Sequence, residues 1–340
     1  MDGYFLGCGM LAISTSSGLH QLTGSGRLDL ISKVELVDDS ADGMLAGRSA
    51  IRAGTVRANN RMGFDVRSVR VKGEMIGKCL PKWLSSFVGR YQPGLLRVEN
   101  CIMTDQEVTD LVKQPCINNV HFSGCIVLKG DTRTTLTFAA QESITFVECQ
   151  FITSAEIYAP NVNEITIMSS DFADAQLNGF IGTAFALTRF SSDAPICDLA
   201  LATVCKNEDL VSLELTSQDL SAIAEDLLGF CAIHLKFLAL RDCTAEISIC
   251  KVLKQLDRLD YVILEGRSAT NETVQALLPS SATLRSLLVS GEAIDDRVLD
   301  VAKKMPALTT LMIRETNISK AALSQFSEGF KGRILGQAGE

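Results

Sequence analysis

The chain predicts an α/β solenoid with parallel strands on a concave face, short helices outside them and a β-richer middle section. Three observations point there. An apolar kernel recurs at a near-constant step through the C-terminal half. Amphipathic helical stretches alternate with those kernels. The 340 residues are 46% hydrophobic but only 6% aromatic, which suits a core of stacked aliphatic layers.

The kernel is clearest in Leu308-Thr-Thr-Leu311-Met-Ile313, with apolar residues at its first, fourth and sixth places. It recurs as Leu284/Leu287/Val289, Leu259/Val262/Leu264, Leu235/Leu238/Leu240 and Leu210/Leu213/Leu215, so the central member falls at 213, 238, 262, 287 and 311. A unit of that length cannot bury its own apolar side, and stacking makes the core. Alternate side chains of each kernel point inward, following the two-residue period of a strand. Each such burial contributes roughly 1.5–3 kcal/mol against the cost of ordering the chain.

Towards the N-terminus the template matches Val162/Ile165/Ile167, Ile144/Phe146, Ile117/Val120/Phe122, Leu96/Val98, Val66/Val69/Val71, Ile31/Val34/Leu36 and Leu11/Ile13, with Phe185/Leu187 the weakest. Each is expected to be a short parallel strand, giving about thirteen units by template matching. Between kernels, Leu220, Ile223, Ala224, Leu227 and Leu228 share one helical face, as do Val274, Leu277 and Leu278, and Val298, Val301, Ala302 and Met305. Thr104-Asp-Gln-Glu107 has the form of a capping box, and Pro81 suits the first turn of another helix.

The stretch from 127 to 205 is rich in β-branched residues and shows helix only near 173–177. Its outer side is expected to be extended, and a parallel β-helix competes there. The organisation read from these features is an N-terminal cap with irregular first repeats over 1–60, repeats over 61–126, β-rich irregular repeats over 127–206, and regular repeats with a C-terminal cap over 207–340.

The run from Leu308 through Thr316-Asn317-Ile318 to Ala322-Leu323 resembles the LxxLxLxxTxIxxxAL unit of the leucine-rich-repeat superfamily. Cys101, Cys125, Cys149 and Cys243 each follow the last kernel residue by three positions, which is similar to the cysteine-containing, ribonuclease-inhibitor-like subclass. There a small side chain serves backbone groups that the turn leaves unpaired. Most turns here hold neither Asn nor Cys, and several kernels use Val or Ile. The resemblance implies a protein-recognition scaffold, without catalysis and without a named partner.

Other signals narrow the function classes. The eleven cysteines include no CxxC pair, and the three histidines are far apart, so neither metal nor cofactor is expected. No apolar run reaches the length of a membrane span, and the first residues lack Lys and Arg, which together point to a cytoplasmic, reducing setting. The sequons at Asn271 and Asn317 are read as coincidental. Gly7-Cys-Gly9-Met-Leu-Ala12 matches the dinucleotide fingerprint, but the residues after it make a poor helix. Leu80-Pro81-Lys-Trp83-Leu84 is similar to the opening of an F-box, yet lies inside the array. The alternatives to a scaffold are therefore a carbohydrate-active β-helix, with Asp171 and Asp174 as its acids, and a nucleotide-binding protein.

Two features carry functional weight. Residues 48–97 hold eleven basic side chains against two acidic ones, a net +9 in a chain of net −8. Arg57, Arg61, Arg67, Arg70 and Lys72 form the centre of this electrostatic patch, which is expected to steer an acidic partner or support head-to-tail self-association. Nucleic acid is disfavoured because the centre of the patch, Arg57 to Lys72, interleaves only Phe64 for stacking. The second feature is an apolar column between the inward positions of the later kernels: Ala239, Ile263, Leu288 and Met312, flanked by Phe237 and Tyr261. A solvent-facing strand face is normally polar, so this column is the expected protein-binding surface, provided the register is right.

Overall fold

The computed structural model describes the backbone of four strands within 3–72, and residues 94–336 apart from 116, 131–134, 139–140, 154, 206 and 221–233. The chain divides into two compact units, Met1–Phe185 and Ala186–Glu340.

The first unit begins with strands β1 (Gly3–Leu6), β2 (Met10–Ile13), β3 (Lys33–Asp38) and β4 (Val66–Lys72). Each pairs antiparallel with the next. This corrects the expectation that Leu11/Ile13 and Val34/Leu36 sit in parallel strands. Only three residues separate β1 from β2, and a parallel pair needs a crossover of about a dozen or more. Residues 10–13 are strand, so the glycine fingerprint lacks the helix that would hold a pyrophosphate.

From β4 to β13 the successive pairings in the main sheet are parallel: β5 (Leu95–Glu99), then β7 (Asn119–Ser123), β10 (Ser143–Val147) and β13 (Glu164–Met168). Their inward residues, among them Leu96, Val98, Val120, Ile144, Ile165 and Ile167, are buried. Behind them lie short parallel strands: β6 (Ile102–Thr104), β8 (Ile126–Leu128) and β11 (Gln150–Ile152) form one sheet, and β9 (Leu136–Thr137) pairs with β12 (Ile157–Tyr158). The expected extended outer side is therefore present as far as Tyr158, whereas from Asp174 to Cys205 helices replace it. Two helices complete the unit. In α1 (Asp105–Val112), Thr104 and Glu107 form the predicted capping box, Glu107 N–H donating to Thr104 Oγ1 at 3.2 Å and Thr104 N–H to the Glu107 carboxylate at 2.8 Å. Helix α2 spans Asp174–Thr183. Phe146 centres the core, stacked on Phe122 at 5.5 Å between ring centres and edge-on to Phe151 at 5.1 Å and Phe172 at 5.3 Å.

The second unit alternates strand and helix. In order it contains β14 (Arg189–Ser192), α3 (Asp198–Cys205), β15 (Ser212–Thr216), β16 (Phe237–Arg241), α4 (Glu246–Leu253), β17 (Tyr261–Glu265), α5 (Asn271–Gln275), β18 (Ser286–Ser290), α6 (Arg297–Ala302), β19 (Thr310–Arg314), α7 (Lys320–Gly329) and β20 (Arg333–Gly336). All seven strands pair in parallel, in chain order. Leu213, Leu238, Val262, Leu287 and Leu311 stand opposite one another in successive strands, as the step predicted.

Two expectations in this region are corrected. The kernel placed at Phe185/Leu187 is Leu187/Phe190/Ser192, with Phe190 opposite Leu213 and Phe185 69% exposed. Ser192 fills an apolar place because its buried hydroxyl donates to Ala194 O at 3.2 Å. Helix α3 was not legible because its sequence, DLALATVC, is apolar nearly all round and shows no stripe. The helices expected at Pro81 and at Leu220–Leu228 lie outside the described residues.

Candidate recognition surfaces on the strand faces

Each strand ends in a tight turn, and the turns align. After most of these strands the residue before the ladder position has a left-handed backbone: φ is 53° at Asn100, 60° at Gly124, 53° at Glu148, 55° at Ser217 and 52° at Asp242. That conformation turns its N–H onto the next strand's end, as in Asn100 N–H to Ser123 O at 2.8 Å and Gly124 N–H to Val147 O at 2.8 Å. The ladder cysteines follow. The Cys125 thiol is shared between Val98 O at 3.3 Å and Ser123 O at 3.4 Å, and the Cys243 thiol lies 3.5 Å from Leu215 O. Gln218, in a turn without Cys, does the same work by donating to Ala194 O and Thr216 O at 2.8 Å each. A hydrogen bond to Cys149, together with burial, raises the Cys125 thiol pKa, and the same bond lowers that of Cys149; burial raises Cys243. These turns hold the strands in a common register, and the register builds the faces.

On the outward face of the second unit, one row runs Glu214, Ala239, Ile263, Leu288, Met312 and Leu335, residue opposite residue. All six residues of the sequence-predicted apolar site fall together here. Ala239, Ile263 and Leu288 form the cluster, with Phe237, Tyr261 and Met312 packed against it. The exposure differs from a fully open patch. Ala239 is 0%, Ile263 7% and Leu288 6% exposed, so β16, β17 and β18 are closed on both faces at their centres. The reachable members are the half-buried Phe237, Tyr261 and Met312. Phe237 and Tyr261 stack at 5.1 Å with their rings 10° from parallel.

The other side of the column carries an ion network that sequence reasoning missed. Arg241 reaches Glu214 at 3.0 Å and Glu265 at 2.9 Å, all three about one-third exposed. Arg241 stands opposite Glu265 in the parallel register, so the kernel step alone would have placed that pair side by side. At this exposure the network contributes little stability, on the order of 1 kcal/mol or less per pair, and mainly orders the edge of the apolar strip.

Of the predicted basic patch, three residues fall on described backbone. Arg57 and Arg61 lie outside the described residues. Arg70 and Lys72 occupy outward-row positions of β4, opposite Arg97 and Glu99 of β5 and, on the other side, Glu35 and Lys33 of β3. Arg67 has the parity of Val69 and Val71, whose partners Leu96 and Val98 are buried. The patch is therefore not one row. The acids of the carbohydrate alternative, Asp171 and Asp174, serve the fold. Asp171 extends the pairing of β11, and Asp174 opens α2, where a carboxylate favours the helix N-terminus. Among the described residues no three His, Cys, Asp or Glu side chains gather as metal ligands, and no helix is long and apolar enough to cross a membrane.

No protein-family model and no curated protein matches this sequence. Solved structures do match in three dimensions. TLR13, in its complex with ssRNA13, shares 16% identity at a TM-score of 0.52 over 75% of this chain. An internalin from Listeria monocytogenes shares 13% at 0.46, covering 96% of this chain and 95% of its own. Human 5T4 shares 13% at 0.33, covering 71% and 85%. This chain spans 38% of the TLR13 chain. With the repeat, the turns and the parallel strands, the likeness to TLR13 establishes a leucine-rich-repeat α/β solenoid fold.

Proposed function

We propose that this leucine-rich-repeat chain is a non-enzymatic scaffold that binds a protein partner through the strand face of its second unit. One observation carries the reading: an apolar column spans four successive strands, bordered by a stacked aromatic pair on one side and an ion network on the other. Apolar centre with polar rim is the anatomy of a protein interface, and Tyr and Arg are favoured anchors there. Ala239, Ile263 and Leu288 form the floor. Phe237, Tyr261 and Met312, with Arg57, Arg61, Arg67, Arg70 and Lys72 of the first unit adding long-range attraction, make the encounter. The seven described cysteines are free thiols, which suits a cytoplasmic, reducing setting.

The test uses the accessible residues rather than the floor, because Asp at Ile263 or Leu288 would bury an unpaired charge and disturb the fold itself. Affinity capture with mass spectrometry is run with the wild-type chain and with a Tyr261→Asp/Met312→Asp double variant, folding being checked by hydrogen exchange. Specific partners should be lost from the folded variant. Partners retained at wild-type levels reject this face.

A further inference from the structure

We propose that the strand face of the first unit is a second binding site, and that its ligand is an extended acidic peptide. The outward row of this face runs Arg70, Arg97, His121, Thr145 and Thr166 across β4, β5, β7, β10 and β13. All five are residue types that carry a side-chain hydrogen-bond donor. Parallel strands set them about 4.8 Å apart. Arg97 is exposed, and His121, Thr145 and Thr166 are half-buried.

Between Arg97 and Thr166 the row itself holds no carboxylate. Glu99 and Glu164 are in the flanking rows, Glu99 opposite Lys72, while Glu35 of β3 lies opposite Arg70 at the far edge. Arg97, exposed on this face, thus meets an anion with no acid beside it in the row, and Thr145 and Thr166 add hydroxyls further along. A carboxylate accepts two hydrogen bonds from a guanidinium fork, and others from hydroxyls. The +9 charge of residues 48–97 adds attraction at longer range. The ligand is peptide rather than nucleic acid because the three outward rows of these five strands contain no Phe, Tyr or Trp, and single-stranded nucleic acid binds largely by stacking on such rings. This inference stands on the first unit alone.

Fluorescence anisotropy with labelled oligo-glutamate tests it, with oligo-glutamine and oligo-uridine as comparators. At low ionic strength Arg97→Glu should weaken oligo-glutamate binding about tenfold, and Thr145→Lys should strengthen it about threefold, a gain that misfolding cannot produce. Both differences should shrink as added salt shortens the screening length. The Tyr261→Asp/Met312→Asp variant should bind oligo-glutamate like the wild type, so failure of the second-unit reading stays distinguishable. Equal binding by wild type, Arg97→Glu and Thr145→Lys overturns the proposal, as does tighter binding of oligo-uridine, or of oligo-glutamine, than of oligo-glutamate.

Discussion

The outward rows of the two units occupy equivalent positions on parallel strands, yet one reads Arg97, His121, Thr145, Thr166 and the other Ala239, Ile263, Leu288, Met312. The inward rows obey one rule in both, apolar and buried, because every coil must cover its neighbour's apolar side. The outward row is free of that demand, and its chemistry differs between the units. Polar donors line it in the first unit and a closed aliphatic strip in the second, and the two proposed sites rest on that difference. The interiors differ as well: phenylalanine rings fill the first unit around Phe146, whereas leucine dominates the second.

The sharpest way to separate the two interiors is to truncate each centre. Phe146→Ala removes a ring packed against several others and should cost about 3–5 kcal/mol, whereas Leu287→Ala should cost about 2–4 kcal/mol. Denaturant unfolding with hydrogen exchange resolved by unit would show each loss in its own unit. An equal, small effect at Phe146 would mean the ring cluster is not the keystone of the first core.

A reciprocal exchange probes the faces. Ile263→Thr gives the second unit the residue type found at Thr145, placing a hydroxyl where only 7% of the side chain's residue is exposed; a loss of about 1–2 kcal/mol is expected. Thr145→Ile, at a half-buried place, should change stability by less than about 0.5 kcal/mol. Equal costs would erase the distinction between a closed strip and an open one.

The smallest effect is electrostatic. Hydrogen bonds from Arg297, backbone and side chain, hold the Asp295 carboxyl below its ordinary value. A depressed folded-state pKa adds stability above the unfolded value and loses it as pH falls through the lowered one, so the contribution disappears on acidification below about pH 4. Exposure keeps it small. NMR titration should find Asp295 shifted down in the wild type and restored in Arg297→Gln. An unshifted wild-type carboxyl would remove this tie between α6 and its preceding turn.

How much of this was legible in the sequence follows from what each residue answers to. The second-unit strands were readable because leucine at a 24- or 25-residue step has no other common cause. The apolar column followed from the same register, residue by residue. Its closure was not readable, since exposure depends on how Phe237, Tyr261 and Met312 pack across strands. The antiparallel start was missed because alternation marks a strand without revealing its partner's direction; the short link from Leu6 to Met10 was the available clue. Helix α3 and the Leu187/Phe190/Ser192 kernel were missed where composition breaks the pattern, one by too much apolarity and the other by a satisfied buried serine.

The left-handed turns have a consequence for how such a chain can change over generations. The Asn100 carboxamide occupies the space a side chain at Gly124 would need, and the Asp242 carboxylate does the same at Gly266. Each glycine is thus bound to the identity of its neighbour one coil earlier. Excising the coil that carries Gly124 would bring Glu148 beside Asn100, whose carboxamide fills the place its Cβ would need, and the fit would be lost. The coils are not interchangeable modules; they are matched couples, and gain or loss of length is easiest in steps that keep both members.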